Sequence, residues 1–383
     1  MSLSNPKYRV WADDFEDGDI TNQIKVVSID GKDPEQMITK EGKVHPLKEG
    51  KHQIHYQVMD KDHNISEFTT EIDVLSTPHS KSILEDEIVK SVLKKPKAEY
   101  TDKVGMKRGD EGDRQLVGVQ LEPGQSIEAK VLEDEELQLN LLTEDRKKDV
   151  YEKVNGTEYK KFSPKEAKFE LVYGRTSSSD TTAVPFINTP RYDAKDGIQN
   201  QTVDVHYKIG HDIRTVPYWH EGDNEQTFFD QWKKDAESHK KMVVKPKGKQ
   251  DTTIEEIEAG FSVIDGGYAQ FLTPNNSRAY VMKKFDQREL VYQNNDPDKT
   301  LLELMKRYQK LSNFYDEMIG VSLNPTEKYN QRIPSKYFMR ADGNGAGSAY
   351  YLPGWIAMNS DHLTGFWSLE WGTLHEIAHG YQG

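Results

Sequence analysis

Trp371-Gly372-Thr373-Leu374-His375-Glu376-Ile377-Ala378-His379-Gly380 contains the pattern H-E-x-x-H, and its reading organises the rest of the chain. Residues four apart share one face of a helix. Two imidazoles at that spacing reach a single zinc ion at about 2.0–2.1 Å. Glu376 follows the first histidine, where a carboxylate can take the proton of a water attacking a carbonyl. His375 and His379 are therefore candidate metal ligands and Glu376 the candidate catalytic base. The flanks Trp367, Leu369, Trp371, Leu374, Ile377 and Ala378 are largely apolar, which predicts a buried helix rather than two unrelated surface histidines. A histidine ligand six residues on would require glycine at position 382, and Gln382 stands there. The remaining common third ligand is a glutamate further along the chain; Glu370, five residues upstream of His375, is poorly spaced to replace it.

Upstream, the chain divides by periodicity. Residues 5–76 read as a small β domain: Ile24 to Val27 and His52 to Val58 alternate apolar with polar, and a last strand runs through Phe68, Thr70, Ile72 and Val74. Asp17-Gly18-Asp19 and Asp60 to Asn64 are turn chemistry. Asp13, Asp14, Glu16, Asp17 and Asp19 offer hard oxygens for calcium, but no regular ligand spacing appears, so a solvated acidic loop is expected. Residues 77–99 read as a linker, helical over Ile83 to Leu93 and stopped by Pro96. From 100 to 215, short strands (Leu116 to Leu121, Ile127 to Val131, Leu137 to Leu142, Ala167 to Tyr173, Val203 to Ile209) with Gly, Pro and Ser breaks predict a β-sandwich. His206 falls on a polar strand face and is expected to be solvated.

From 216 to 383 helices enter. Phe228 to Trp232 begins one, Thr253-Ile254-Glu255-Glu256 has the form of a capping box, and Thr300 to Ile319 repeats apolar residues at spacings of three and four. Gly343 to Gly347 lacks the lysine and hydroxyl of a phosphate cradle. A strand-like run, Tyr350 to Met358, precedes the H-E-x-x-H segment, and Tyr351 to Asn359 is the candidate sheet edge for a peptide substrate. Pro353 is tolerated only at such an edge. Gly354, Trp355 and Asn359 are the candidate substrate-contacting residues. Trp355 either stacks on a sugar ring or fills core, and burial is the commoner fate of an aromatic ring.

Composition removes several classes. The 383 residues carry a net charge of −13, which disfavours nucleic acid as a partner. No cysteine is present, so disulfides, thiolate zinc sites and cysteine nucleophiles are excluded. No apolar run has the length of a membrane span. Met1-Ser2-Leu3-Ser4 lacks the features of a signal peptide and reads as a cloning remnant, so the chain is expected to be an excised middle piece of a longer, bacterial, secreted or surface protein.

Two resemblances sharpen these expectations. Asp17-Gly18-Asp19-Ile20-Thr21, Gly50 to Asp60 and Asn64-Ile65-Ser66 resemble bacterial immunoglobulin-like modules, which implies a spacer or adhesive unit. Trp367 to Gln382 resembles the active-site helix of the enhancin-like, mucin-degrading zinc metallopeptidases. With the periodicity, the two resemblances give the expected multidomain chain: an all-β immunoglobulin-like module, a β-sandwich, then an α+β zincin-like (gluzincin) catalytic domain truncated at its active-site helix. The second resemblance also implies zinc on His375 and His379, Glu376 as base, and mucin-like O-glycoproteins as substrates. The family's third ligand, a glutamate, would lie beyond Gly383, and the segment alone is then expected to be inactive. The alternative is a non-catalytic surface adhesin binding host glycans through its β modules and tyrosines; the complete His/Glu/His set argues against it.

Overall fold

The computed structural model describes residues 13–14, 18–19, 23–33, 50–74, 87–97, 113–132, 134–165, 182–192, 201–247, 251–278, 281, 300–321, 336–342, 349–352, 355–358 and 363–381. The chain forms two compact units, Met1–Ile83 and Leu84–Gly383.

In the first unit Lys25–Ile29, Gly50–Met59 and Ile65–Val74 form an antiparallel sheet in that order. Ile29, Ile54 and Tyr56 are buried, as the period-two pattern requires, and the Tyr56 and Phe68 rings stack across the strands at 5.1 Å. The turn is held by Asp60, whose Oδ1 accepts from the Asn64 amide at 2.8 Å. Of the acidic cluster, Asp13–Asp14 and Gly18–Asp19 pair as two short strands. Glu16 and Asp17 lie outside the described residues.

In the second unit two sheets share one core. One runs Val150–Asn155, Glu136–Leu142, Val184–Asn188, Arg114–Leu116; the other runs Lys160–Phe162, Ile127–Val131, Gln201–Ile209, Glu87–Pro96, Arg191–Tyr192. Leu137, Leu139, Leu141 and Val154 from the first interdigitate with Val92, Ile127, Phe162, Val203 and Val205 from the second. The expected strand Ala167 to Tyr173 lies outside the described residues.

The linker helix is not found in the described part of 77–99: Glu87–Pro96 is a strand, antiparallel to Gln201–Ile209 from Lys94 opposite Gln201 to Glu87 opposite Lys208. Ile88, Val89, Val92 and Leu93 satisfy helical spacing, but they also alternate, with Val92 buried and Val89 and Leu93 exposed on the other face. The partner strand decides between the two periods, because a short apolar run carries both. His206 on that partner is not fully solvated: its Nδ1 lies 2.8 Å from Glu87 Oε1 and the side chain is largely covered. The capping-box segment is also a strand. Asp251–Glu258 pairs with Lys240–Lys247 in a two-stranded ladder, setting an acidic strand against a basic one. Its β-branched residues Thr252, Thr253, Ile254 and Ile257 favour extended backbone once a partner is present.

A six-stranded mixed sheet carries the candidate site. Its order is Tyr218–His220, Phe261–Asp265, Ala269–Pro274, Tyr337–Ala341, Trp355–Met358, Ala349–Leu352. The expected single strand from Tyr350 to Met358 is two antiparallel strands, with Leu352 opposite Trp355. Pro353 and Gly354, between the two strands, lie outside the described residues. The edge is consequently Ala349–Leu352, and Trp355–Met358 is interior.

Each face of this sheet is covered. On one, Ile264, Phe271, Met339 and Ile356 pack against Trp232 of the helix Glu225–Ser238, Leu304 and Tyr308 of the helix Thr300–Ile319, Trp367 of the short helix Thr364–Ser368, and Ile377 of the helix Trp371–His379. On the other, Phe261, Val263, Leu272, Phe338, Trp355 and Ala357 pack against Leu142, Val184 and Phe186. The segments 100–215 and 216–383, read separately in the sequence, meet at this second core within one unit.

Candidate metal centre

The H-E-x-x-H helix, Trp371–His379, is held from several sides. Ile377 is its buried anchor. Thr373 Oγ1 donates to the Gly365 carbonyl at 2.8 Å, and Tyr308 Oη donates to the Phe366 carbonyl at 2.6 Å. Both ties cross to the preceding helix, Thr364–Ser368. Leu369 joins the two helices with φ at +52°, a left-handed conformation costly for leucine and sustained here by packing against the core. Beyond the helix, Tyr381 stacks on Tyr315 at 4.8 Å and hydrogen-bonds Tyr337 at 2.7 Å. These contacts fix both ends of a nine-residue helix, too short to be stable by itself.

On its outer side the four-residue spacing acts as the sequence predicts. His375 Nε2 and His379 Nε2 converge to 3.1 Å, with the ring planes at 83°. Glu376 Oε2 lies 3.9 Å from His379 Nε2, and its residue is only 8 % exposed. One ligand atom from each of the three residues fits within 4.8 Å. Among the described residues no other histidine, aspartate or glutamate joins them or forms a similar group of three.

The donor set fits zinc. Two nitrogens on one tetrahedral zinc ion stand about 3.3 Å apart, close to the observed 3.1 Å. A cation shared by both Nε2 atoms requires both rings to carry their proton on Nδ1.

The other sequence candidates divide. Trp355 is buried on the opposite face of the sheet, where the Arg340 guanidinium lies 4.7 Å and the Arg146 guanidinium 5.9 Å from its ring. It is core and presents no face to a sugar. Gly354 and Asn359 lie outside the described residues.

Two aromatic residues at the site were not singled out by the sequence. The Tyr351 ring, on the edge strand, is 6.4 Å from that of His379. Trp371, expected on a buried helix, is 75 % exposed and stacks on His375 at 4.8 Å with planes 24° apart. The signal was present: Trp371 is four residues before His375 and shares its helix face. What concealed it was the apolar character of the flanks, which reads as burial.

No family model matches the chain. Over 89 residues, 22 % of this chain and 10 % of the relative, it is 33 % identical to the viral-enhancing factor of Trichoplusia ni granulosis virus. It is 34 % identical to the viral-enhancing factor of Heliothis armigera granulosis virus over an equal length. The matched stretch thus spans about a tenth of these curated relatives. Among solved structures, the catalytic module of the metalloprotease ZmpA from Clostridium perfringens superposes with a TM-score of 0.55 at 14 % identity, covering 77 % of this chain and 53 % of that one. The M60 catalytic domain of Clostridium perfringens ZmpC, solved in complex with the sialyl T antigen, gives 0.53 at 12 % identity over 77 % and 52 %. At these identities the likeness is one of fold: the β-rich chain, with its few helices, is built like the catalytic domains of M60 metallopeptidases.

Proposed function

We propose that this chain carries the zinc site of a metalloendopeptidase that hydrolyses peptide bonds in mucin-like, O-glycosylated proteins outside the cell, either secreted or at its surface. The observation that carries the reading is the convergence of His375 Nε2 and His379 Nε2 at 3.1 Å beside the Glu376 carboxylate. The partial identity to viral-enhancing factors supports it, as does a fold shared with M60 catalytic domains, one of which binds a sialyl T antigen.

His375 and His379 would hold the ion through Nε2. Zinc bound there supplies Lewis acidity to the scissile carbonyl and makes a water acidic enough to attack it at neutral pH. Glu376 Oε2 accepts the proton of that water and returns it to the leaving amine. Partial burial of Glu376 keeps competing solvent away from this proton. The outermost strand, Ala349–Leu352, lies against the helix, and a substrate backbone would add to its edge.

In the gluzincin arrangement a glutamate outside the H-E-x-x-H helix would complete the ligand set. The β-rich first unit would serve as an immunoglobulin-like spacer.

The test combines metal binding and hydrolysis. Zinc titration of residues 1–383 should show one equivalent, lost in His375→Ala and in His379→Ala. Glu376→Gln should retain zinc and lose hydrolysis of an O-glycosylated peptide. Retained hydrolysis in that variant, or undiminished zinc binding by His379→Ala, overturns the reading.

A further inference from the structure

The outermost strand Ala349–Leu352 has two unlike faces. Ala349 and Tyr351 pack on the helix side, where the Tyr351 ring lies 6.4 Å from that of His379. Tyr350 and Leu352 pack on the opposite side, with Trp355 and the core shared with the upstream sheets. Arg146, from the tight turn Arg146–Lys148, stands on that second side. Its guanidinium lies 5.7 Å from the centre of the Tyr350 ring and 5.9 Å from that of Trp355, and its backbone amide donates to Asp342 Oδ1 at 3.4 Å. Arg146 is exposed, and among the described residues no carboxylate pairs with its guanidinium. Lys147 and Lys165 are exposed beside it, with Lys165 Nζ donating to the Lys147 carbonyl at 3.1 Å. Three cations thus gather next to the edge strand of a chain whose net charge is −13.

We infer that Arg146 is a specificity-determining residue that takes the carboxylate of an aspartate or glutamate side chain in the bound peptide. The inference rests on the proposed peptidase reading and adds to it the chemistry of one substrate residue. Among the described residues Ala349–Leu352 pairs on one side only, so its other edge is open to an extended peptide. A strand added there lies about 4.8 Å away, and its side chains alternate between the two faces. A residue opposite Tyr351 points to the His379 side. Its neighbours in sequence, opposite Tyr350 and Leu352, point to the Arg146 side. Directly opposed Cβ atoms are about 4.5–5.5 Å apart, so a carboxylate opposite Tyr350 comes within reach of a guanidinium resting on that ring. The two aromatic rings limit the motion of the guanidinium, and its planar fork of N–H donors matches the two oxygens of a carboxylate. This contact lies across the sheet from the histidines and is separate from the metal.

The experiment measures binding rather than turnover. The protein carrying Glu376→Gln, saturated with zinc, is titrated with three fluorescent, threonine-rich peptides that differ only in a central glutamate, glutamine or lysine. Fluorescence anisotropy gives each Kd. The net charge of the protein by itself favours the lysine peptide, so a preference for glutamate requires a local cation. The glutamate peptide is expected to bind about five-fold tighter than the glutamine peptide, the upper range for an exposed pair. The difference should vanish in about 1 M salt. Arg146→Gln should abolish it, and Arg146→Glu should transfer the preference to lysine. Arg146→Lys keeps the charge without the planar fork and should retain part of the preference. The comparison of glutamate with glutamine needs no substitution at Arg146, so a variant that misfolds does not hide the outcome.

Equal binding of the glutamate and glutamine peptides overturns the inference, as does a glutamate preference that survives Arg146→Gln or a failure of all three peptides to bind. A zinc titration separates these results from the reading beneath. Zinc bound normally without a glutamate preference refutes the role of Arg146 alone. No zinc bound by the protein with His375 and His379 intact, while the glutamate preference holds, refutes the peptidase reading and leaves the contact to Arg146 standing.

Discussion

Arg340 and Asp149 stand 191 positions apart in the chain and meet in the interior, with both side chains wholly shielded from solvent. Arg340 Nη1 and Nη2 donate to the two carboxylate oxygens, the latter at 3.1 Å, and Nη2 also donates to the Thr143 carbonyl. The guanidinium lies over Trp355. Burial alone disfavours its charge, but the Asp149 carboxylate outweighs that effect and holds the Arg340 pKa above its ordinary value. The pair joins a strand of the site-bearing sheet to the two-sheet core beside it.

Removing one partner should therefore be severe. Arg340→Met leaves the Asp149 carboxylate buried without its counter-charge and is expected to cost about 3–5 kcal/mol, as for other broken buried pairs. Urea unfolding of Leu84–Gly383 or of the whole chain measures it. A loss below about 1 kcal/mol, the range of exposed pairs, would show that the two cores are not coupled through this contact.

The Tyr308 hydroxyl links the long helix Thr300–Ile319 to the turn ahead of the histidines. Tyr308→Phe keeps the ring, which meets Phe271 edge-on at 5.4 Å, and removes only the donor. The expected loss is about 1–3 kcal/mol, because the Phe366 carbonyl stays buried with its partner gone. Zinc affinity should fall by several-fold as well, since Phe366 precedes the metal helix by one short turn. Calorimetric zinc titration decides: unchanged affinity would mean that the histidines are positioned without this tie.

Asp265 supplies a pH test. Burial pushes its pKa up, but Lys336, which donates to it, and Tyr218, at 3.0 Å, outweigh burial and leave it below the ordinary 3.8. A depressed folded pKa means that the ionised form contributes stability above the unfolded pKa and loses it as pH falls through the folded one. Asp265→Asn should lower stability at neutral pH and flatten the decline as pH falls below the ordinary aspartate value of about 4. Urea midpoints for the two proteins over that decline check it; parallel curves would contradict the shift.

What could be read from the chain alone is local. His375, Glu376 and His379 sit within five positions, so a helix by itself brings the two imidazoles to one face with the carboxylate beside them, and their meeting needed no long-range information. Thr300–Ile319 and Gln201–Ile209 declared themselves in the same way, by long and unambiguous periods. Glu87–Pro96 and Asp251–Glu258 did not, because each pattern admits helix or strand until a partner strand is present.

Burial was the other thing hidden. Trp355 and Trp371 are the same residue type, sixteen positions apart near one site, yet one is sealed under Arg340 and the other stands open beside His375. Residue type fixes how much a side chain gains from leaving water, and spacing fixes which neighbours share a helix face. Which side chains leave water depends on what packs against each surface. For Trp355 that is decided by Arg340 and a sheet formed far upstream in the chain, contacts that no local window of sequence contains.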